Sequence, residues 1–453
     1  MEDSTPKSNS KGISRRKFLR QTAFAAGAAA VLGVGGYQGY AYSKRLSRRE
    51  AQVVEKARIL IIGAGPGGIT VAARILRGVP NAQITILDDA IEHHYKPGYT
   101  LVAAGVYPKG AVVFRNQDLI PSRVRWIRER AEAFEPERNR VLTTGGQWLE
   151  YDFLVVAVGV HMDLDAVEGL REVLETPHAG NIYDLETGTK FRQLAAAFTG
   201  GDFVGVYPPG YVKCGGAPQK ITWLTEDLFR RKGVRGATTV TFATPTPVLF
   251  APVPVINDII TPMMEQRGIR HHFHTTLKAI DVSTRHALFE VRKEDGSTAE
   301  ERLHYDLLHP MAPFVTPKAL MTSPLTTPEL KGQVEVDKHT LQHKRFPNIF
   351  AVGDCAGTGA AKTAATIRKM APVVVKNLFD VALGQEPSNH YDGMSGCPLL
   401  TRYGRCMMFE FDYTKQLRNE WIYQSTRETR LWWNFKVHGL KPLYMNIMLQ
   451  GLV

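Results

Sequence analysis

Cysteine is the residue type in this chain with the most direct chemistry. The 453 residues include four cysteines, too few for a disulfide scaffold and without the close Cys/His pairs of a zinc site. Cys214 precedes two glycines and a predicted helix over 221–231, and it lies near Lys213 and Lys220. A thiol beside a helix N-terminus and two ammonium groups has a lowered pKa, which suits a redox nucleophile. We therefore treat Cys214 as a candidate redox cysteine, with a buried structural cysteine as the alternative.

A glycine-rich turn near the start of the chain could hold a phosphate. A predicted strand at 57–62 is followed by a glycine turn, a predicted helix at 69–76 and a second predicted strand at 83–87. The turn contains Gly63, Gly65, Gly67 and Gly68. In such a unit Gly63 permits the tight turn, Gly65 lets the backbone approach a pyrophosphate, and Gly68 allows close packing of the helix. Asp88 ends the second strand, where a carboxylate binds a ribose hydroxyl. The unit predicts a dinucleotide site.

Two later segments indicate which dinucleotide is bound. The run 151–159, which ends at Gly159, resembles the returning strand of flavoproteins with two dinucleotide-binding folds. The run 348–354, with Gly353 and Asp354, resembles their last FAD motif. The resemblance implies FAD rather than NAD as the bound cofactor. Just beyond, Lys362 and Thr363 begin a predicted helix. We expect these two residues to approach the pyrimidine edge of the flavin, where a cation or a helix N-terminus stabilises the anionic reduced flavin.

The middle of the chain lacks the second glycine turn of a pyridine-nucleotide reductase. Residues 201–220 contain Pro208 and Pro209 where that turn would need glycines, because proline fixes φ. Cys214 stands in this stretch instead. A type II NADH:quinone dehydrogenase is therefore an alternative rather than the first interpretation.

The context of a second cysteine, Cys397, makes the resemblance specific. The runs 212–220 and 396–399 resemble the two cysteine motifs of type II, mitochondrial-like sulfide:quinone oxidoreductases. Further matching segments lie at 94–97, 100–102, 334–337, 340–342, 353–355, 362–365 and 410–413. The resemblance covers roughly residues 57–450 and implies that Cys214 and Cys397 form a catalytic redox pair.

The resemblance also implies a reaction. Hydrosulfide attacks a disulfide, leaves a persulfide on one sulfur and frees the other as a thiolate. By family resemblance Cys397 takes the sulfane sulfur and Cys214 passes the electron pair to FAD. A quinone then accepts the electrons, and an unidentified acceptor removes the sulfane sulfur.

Other interpretations stay open at this point. One is the flavoprotein subunit of a flavocytochrome c sulfide dehydrogenase, although its usual tethering cysteine is missing because no cysteine precedes Cys214. Another is a flavoprotein-like assembly factor without catalysis. Cys355 and Cys406 are interpreted as packed residues, with a structural disulfide between Cys397 and Cys406 as an alternative.

Both ends of the chain are basic. The net charge of +12 comes from residues 1–58 and 414–453, which argues against a nucleic-acid-binding body. Residues 14–20, followed by an uncharged run over 21–43, resemble a twin-arginine signal, with cleavage after Ser43 as one outcome. This predicts a periplasmic, exported protein.

Apolar residues recur at helical spacing over 440–452 beside a basic flank, which predicts contact with a membrane surface. The oligomeric state stays open, and a homo-oligomer is one alternative.

These motifs require an α/β fold that brings distant segments together. We predict a tandem Rossmann-like flavoprotein, with two dinucleotide-binding folds and a C-terminal membrane or interface segment. The predicted segments are a signal (1–43), a basic linker (44–56), a first FAD segment (57–170), a degenerate second Rossmann-like domain with Cys214 (171–305), an FAD return segment (306–385) and a C-terminal segment with Cys397 (386–453).

Overall fold

The computed structural model describes residues 46–453, so the predicted twin-arginine segment lies outside the described residues. The α-helices are, in chain order, α1 (Arg48–Lys56), α2 (Pro66–Gly78), α3 (Tyr99–Ala103), α4 (Leu170–Glu175), α5 (Leu185–Ala197), α6 (Ala217–Arg231), α7 (Pro254–Gln266), α8 (Lys318–Met321), α9 (Ala364–Ala382), α10 (Glu420–Tyr423), α11 (Arg430–Asn434) and α12 (Leu440–Leu443). The strands are β1 (Arg58–Ile62), β2 (Gln83–Leu87), β3 (Glu92–His94), β4 (Val113–Arg115), β5 (Arg125–Ile127), β6 (Ala131–Glu135), β7 (Arg140–Thr143), β8 (Trp148–Glu150), β9 (Phe153–Val156), β10 (His161–Met162), β11 (Gly201–Val206), β12 (Thr238–Ala243), β13 (Ile269–His272), β14 (Thr275–Asp281), β15 (His286–Arg292), β16 (Thr298–His304), β17 (Leu307–His309), β18 (Phe314–Val315), β19 (Ile349–Ala351), β20 (Ser395–Arg402), β21 (Arg405–Phe411) and β22 (Leu417–Arg418).

The first sheet is parallel throughout and has the strand order β19-β9-β1-β2-β5. Strand β1 buries its four consecutive aliphatic residues, and β9 is buried along its whole length, as strands of a parallel sheet covered on both faces usually are. The strands predicted at 57–62 and 83–87 and the helix predicted at 69–76 are confirmed as β1, β2 and part of α2. Strand β19 pairs with β9 although it comes from far downstream, so the later FAD motif joins the first one at one sheet.

The second sheet is also parallel, in the order β13-β12-β11-β17, and an antiparallel sheet of β14, β15 and β16 follows within the same stretch of sequence. Helix α6 follows β11 and is buried over most of its length. It begins at Ala217, earlier than the predicted 221, because Pro218 fits the first helical turn, where no backbone donor is needed. Two parallel sheets, each with a strand–loop–helix unit, confirm the predicted tandem α/β class.

The C-terminal segment forms an antiparallel sheet and then a helical tail. Strands β20, β21 and β22 pair in that order. A buried apolar cluster joins the β20–β21 hairpin to α6 and includes Cys397. The tail continues from α11 through two π-helical stretches, Phe435–Gly439 and Tyr444–Met448.

Part of the predicted apolar stripe of the tail packs inside the protein. Tyr444 and Met448 are buried, whereas Leu452 is exposed. The Tyr444 hydroxyl lies 2.7 Å from Nε2 of His93, and its ring packs on Tyr95. Among residues 46–453, no helix combines the length and the apolar character that a bilayer crossing needs. Contact of the tail with a membrane surface stays a prediction.

Candidate active site

The glycine turn after β1 has the shape that a phosphate requires. Gly63 has a φ of +109°, and a Cβ there would lie 2.6 Å from the Ala157 carbonyl oxygen. A Cβ on Gly68 would lie 1.9 Å from the Gly63 carbonyl oxygen, and one on Gly67 would press on Val352. By contrast, a Cβ on Gly65 would meet no atom within 4 Å. Three glycines are therefore needed for packing, while Gly65 leaves open space at the N-terminus of α2, where backbone N–H groups attract a phosphate.

The carboxyl edge of the first sheet brings the other predicted cofactor residues to this turn. Asp88 follows β2, and its carboxylate accepts hydrogen bonds from the backbone N–H groups of Ala64 at 2.5 Å and Ala90 at 2.8 Å. Burial raises the pKa of Asp88, and these two hydrogen bonds oppose the shift. Gly159 follows β9 with a φ of +68° and open space where a Cβ would be. These features fit a dinucleotide laid across the strand ends, as predicted for FAD.

Gly353 and Asp354 follow β19 at the same edge. Gly353 has a φ of +82°, a backbone conformation that favours glycine. The Asp354 carboxylate lies 3.6 Å from the Lys213 ammonium, which also donates to the Val160 carbonyl. The last FAD motif and the residue before Cys214 are therefore in electrostatic contact.

Lys362 is held by polar groups of neighbouring loops, and its approach to the flavin stays a prediction. Its ammonium donates to the Gln333 side-chain oxygen at 2.8 Å and to the Asp354 carbonyl at 2.6 Å, and it lies 5.0 Å from the ring of Tyr211. Burial lowers the pKa of Lys362, and the neighbouring Asp354 opposes the shift. The side chain thus braces the Gly353–Asp354 loop from within.

Thr363 begins helix α9 and contributes a cap. Its hydroxyl accepts a hydrogen bond from the Thr366 N–H at 3.1 Å, as an N-cap residue does. Thr363 also lines the cavity that contains the two candidate cysteines. The helix N-terminus, with its partial positive charge, is therefore next to that cavity.

Cys214 sits in a strained and well-held backbone conformation. Its φ of +51° lies in the left-handed region, which costs a residue with a Cβ about 1–2 kcal/mol. The Cys214 N–H donates to the Lys362 carbonyl at 2.7 Å, and its carbonyl accepts from the Ala217 N–H at 2.7 Å and from the Tyr183 hydroxyl at 3.3 Å. Its sulfur lies 3.4 Å from the Lys220 ammonium. A short network therefore fixes this thiol.

Cys397 reaches the same place from strand β20. Only 3% of its surface is exposed, and a Cβ on Gly216 would lie 2.8 Å from its sulfur. The second glycine after Cys214 is therefore the residue that makes room for Cys397. Cys214 and Cys397 both line one cavity of about 30 Å³, enough for one or two molecules the size of water or hydrosulfide. The other lining residues are mostly apolar, with Phe250 and Phe411 among them.

Two buried lysines set the charge around the sulfurs. Burial alone would lower the pKa of Lys220. The neighbouring sulfurs of Cys214 and Cys397 favour its charged form more strongly, so the pKa of Lys220 is raised. Burial, together with the nearby charge of Lys220, lowers the pKa of Lys436 to about 8, while the three thiols nearby oppose the shift. Burial raises the pKa of Cys397 to about 11 against the pull of Lys220. Each buried lysine can offset the charge of one thiolate.

Sequence reasoning missed Lys436. It belongs to the tail, where we interpreted it as part of a basic flank, but it is 3% exposed. Its ammonium donates to the Pro97 carbonyl at 2.7 Å. The only signal in the sequence was a lysine between Phe435 and Val437, an apolar setting that burial explains.

Cys355 and Cys406 lie outside this arrangement. Both are fully buried, and their sulfurs lie near backbone carbonyls, Val156 for Cys355 and Met407 for Cys406. Cys397 pairs with Phe409 and Cys406 with Leu400, so the two cysteines are three residues apart in register and face opposite sides of the hairpin. This register opposes the alternative of a Cys397–Cys406 disulfide, and all four cysteines are free thiols in the described chain.

The loop between β11 and α6 occupies the place of a second dinucleotide turn. Residues 207–216 connect the strand to the helix, and they contain both prolines and Cys214. A parallel strand, a loop and a helix are thus retained, while the loop carries a thiol rather than a phosphate-binding turn. The fold and the site together define a flavoprotein with two dinucleotide-binding folds.

Comparisons with known proteins agree with this class. The family model described as pyridine nucleotide-disulphide oxidoreductase matches residues 57–371. The mitochondrial sulfide:quinone oxidoreductase of Mus musculus is 33% identical over 87% of this chain and 86% of its own, and that of Dictyostelium discoideum is 32% identical over the same shares. The solved structure of the sulfide:quinone oxidoreductase from Aquifex aeolicus superimposes with a TM-score of 0.69 at 21% identity, over 86% of this chain and 91% of that one.

This chain belongs to the sulfide:quinone oxidoreductase family. The predicted family is therefore confirmed, and so is FAD as its cofactor. The residues at the carboxyl edge of the first sheet are the ones that would hold it.

Proposed function

We propose that this protein oxidises sulfide to sulfane sulfur at Cys214 and Cys397 and delivers the electrons to a quinone. One observation carries the proposal: two cysteines from distant segments line a single small cavity, beside Lys220 and the N-terminal cap of α9. Curated relatives named sulfide:quinone oxidoreductase support the substrate and the acceptor.

The first step is thiol–disulfide exchange. Hydrosulfide attacks the Cys397 sulfur of a Cys214–Cys397 disulfide; the S–S bond breaks, Cys397 gains a persulfide and Cys214 leaves as a thiolate. Lys220, 3.4 Å from the Cys214 sulfur, stabilises that thiolate and makes Cys214 the better leaving group. Lys220 and Lys436 are both 3% exposed, so their charges are less screened by water than those of surface lysines.

The second half of the proposed reaction removes the outer sulfur of the persulfide and restores the Cys214–Cys397 disulfide. A nucleophilic acceptor takes the terminal sulfur from Cys397 and leaves a thiolate there. FAD, when bound, supplies the two-electron acceptor that lets the Cys214–Cys397 bond form again and from which a quinone withdraws the electrons.

An anaerobic titration tests the proposal. The purified flavoprotein is mixed with sulfide, and the oxidised flavin absorption is followed before and after addition of a short-chain quinone. We expect sulfide to bleach the flavin, quinone to restore it, and NADH to have no effect. Bleaching by NADH alone would support a type II NADH dehydrogenase instead.

We further propose that the protein works in the periplasm at a membrane surface. The twin-arginine-like run at 14–20 supports export. The exposure of Trp421 (75%) and Leu431 (61%), near the exposed Arg427 and Arg430, supports contact with anionic lipid. Sedimentation with anionic vesicles tests the second part: Leu431→Glu should reduce binding, and Ile91→Glu, at another exposed apolar residue, is the matched control.

A further inference from the structure

The left-handed backbone of Cys214 needs something to hold it. Three hydrogen bonds do so: the Cys214 N–H donates to Lys362, and the Cys214 carbonyl accepts from Ala217 and from the Tyr183 hydroxyl. The first two come from backbone groups. The third comes from a side chain that the family motifs quoted above do not include.

Tyr183 is built to deliver that hydroxyl. It lies between α4 and α5, and its N–H donates to the Asn181 side-chain oxygen at 2.8 Å. The Asn181 amide in turn donates to the Pro310 carbonyl, which fixes this turn against the second sheet. The ring of Tyr183 packs edge-on against Phe314, with 5.0 Å between ring centroids. Because these contacts already hold the Tyr183 ring, it loses little conformational entropy when its hydroxyl donates a hydrogen bond.

The hydroxyl also keeps its proton. Burial, and then the nearby thiol of Cys214, raise the pKa of Tyr183 well above its ordinary value. Tyr183 is therefore protonated, and a hydrogen-bond donor, at neutral pH.

We propose that Tyr183 is a positioning residue for the sulfur chemistry: its hydroxyl locks the Cys214 peptide in the left-handed conformation and so keeps the Cys214 sulfur beside Lys220 and in the cavity. The inference rests on the proposed function, since it assigns a role within that reaction. Without the hydroxyl, the peptide can relax to φ values that residues with a Cβ prefer, and the sulfur then spends less time in the reactive position.

Tyr183→Phe tests this with a matched control. Tyr305 is a buried tyrosine between β16 and β17, and its hydroxyl has no hydrogen-bond partner among the described residues. Tyr305→Phe thus removes a buried hydroxyl that holds nothing. Both variants are prepared as FAD-loaded holoenzyme.

Two readouts are compared. In the first, the rate of flavin bleaching by sulfide is measured anaerobically over a range of sulfide concentrations. We expect Tyr183→Phe to lower the maximal rate about ten-fold, with the half-saturating sulfide concentration unchanged, and Tyr305→Phe to match the wild type. In the second, the dithiol enzyme is treated with N-ethylmaleimide and the labelling of Cys214 is followed by peptide mass spectrometry. A loosened Cys214 should be labelled faster in Tyr183→Phe alone.

The outcomes separate the two hypotheses. Wild-type rates of both bleaching and labelling in Tyr183→Phe would overturn the positioning role. Equal slowing in both variants would also overturn it, because a general packing defect would then explain the loss. If sulfide fails to bleach even the wild type, the proposed function fails, while the labelling of Cys214 still decides whether Tyr183 holds that residue.

Discussion

The two strand–loop–helix units of this protein have the same topology and different chemistry. After β1, a glycine turn leads into α2; Gly63 has a φ of +109°, and Gly65 faces open space. After β11, a longer loop leads into α6, and in this loop Cys214 is a non-glycine residue with a positive φ. The first loop needs no side chain and offers backbone N–H groups, whereas the second is held by hydrogen bonds and offers a thiol. The same strand–loop–helix topology therefore carries either an open glycine turn or a thiol, depending on its loop.

The largest effect should come from removing either sulfur of the second unit. Cys214→Ser and Cys397→Ser should each slow flavin bleaching by sulfide at least about 100-fold, because neither variant can form the disulfide that hydrosulfide attacks. The FAD content should stay at the wild-type level, measured as the ratio of flavin to protein absorbance. Cys355→Ser is the matched control and should retain the bleaching rate. Rapid bleaching in Cys397→Ser would contradict the exchange step.

Alanine in place of a glycine should impair FAD binding in the first unit and flavin bleaching by sulfide in the second. Gly63→Ala places a Cβ 2.6 Å from the Ala157 oxygen in a backbone that disfavours it, so the purified protein should lose most of its FAD. Gly216→Ala places a Cβ 2.8 Å from the Cys397 sulfur, so FAD should remain and bleaching by sulfide should slow about ten-fold or more. Gly110→Ala meets no atom within 4 Å and serves as the control. Loss of FAD in Gly216→Ala would mean that the two units are not separable.

The pH dependence of flavin bleaching by sulfide should test the role of the buried Lys436 cation in the second unit. The pKa of Lys436 is lowered to about 8, so this lysine loses its proton as the pH rises through 8, and a cation that offsets the sulfur charges is lost. The rate of bleaching should therefore fall above about pH 8. In Lys436→Met the fall should disappear, and the rate near pH 7 should be about ten-fold lower than in the wild type. An unchanged profile in Lys436→Met would assign the titration to another group.

The smallest effect should come from the contact between the tail and strand β3. Tyr444→Phe removes the 2.7 Å hydrogen bond to His93, and the free energy of unfolding should fall by about 1 kcal/mol. Thermal unfolding of the holoenzyme measures this. Bleaching by sulfide should be unaffected, since Tyr444 does not line the cavity with the cysteines. A change in that rate would show that the tail helix positions more than Lys436.

The sequence predicted local units better than it predicted contacts between them. The strands at 57–62 and 83–87 and the helix between them follow from local apolar patterns and glycine spacing, and the structure confirms them. The meeting of Cys214 and Cys397 rested on a resemblance, because no periodicity links the loop before α6 to strand β20. The hydrogen bond from the Lys362 ammonium to the Asp354 carbonyl is likewise a long-range contact that no local pattern predicts.

Lys436 and Tyr183 could not be found from local patterns at all. Each reaches the cysteines from a segment whose own sequence gives no hint of that destination. Tertiary packing brings them there: Tyr183 packs against the cluster shared by α6 and the β20–β21 hairpin, and the Lys436 ammonium donates to the Pro97 carbonyl. The charge balance of the site is therefore a property of tertiary structure.

The place of Lys436 in the tail has a consequence for the order of synthesis. Translation proceeds at about 5–20 residues per second, so roughly 10–40 s separate the appearance of Cys214 from that of Lys436. For most of that interval the emerging chain has the thiol of Cys214 but lacks strand β20, Cys397 and the second buried cation. The proposed sulfur chemistry joins groups that are synthesised far apart in time, so Cys214 must wait for β20 and the tail to fold back onto it.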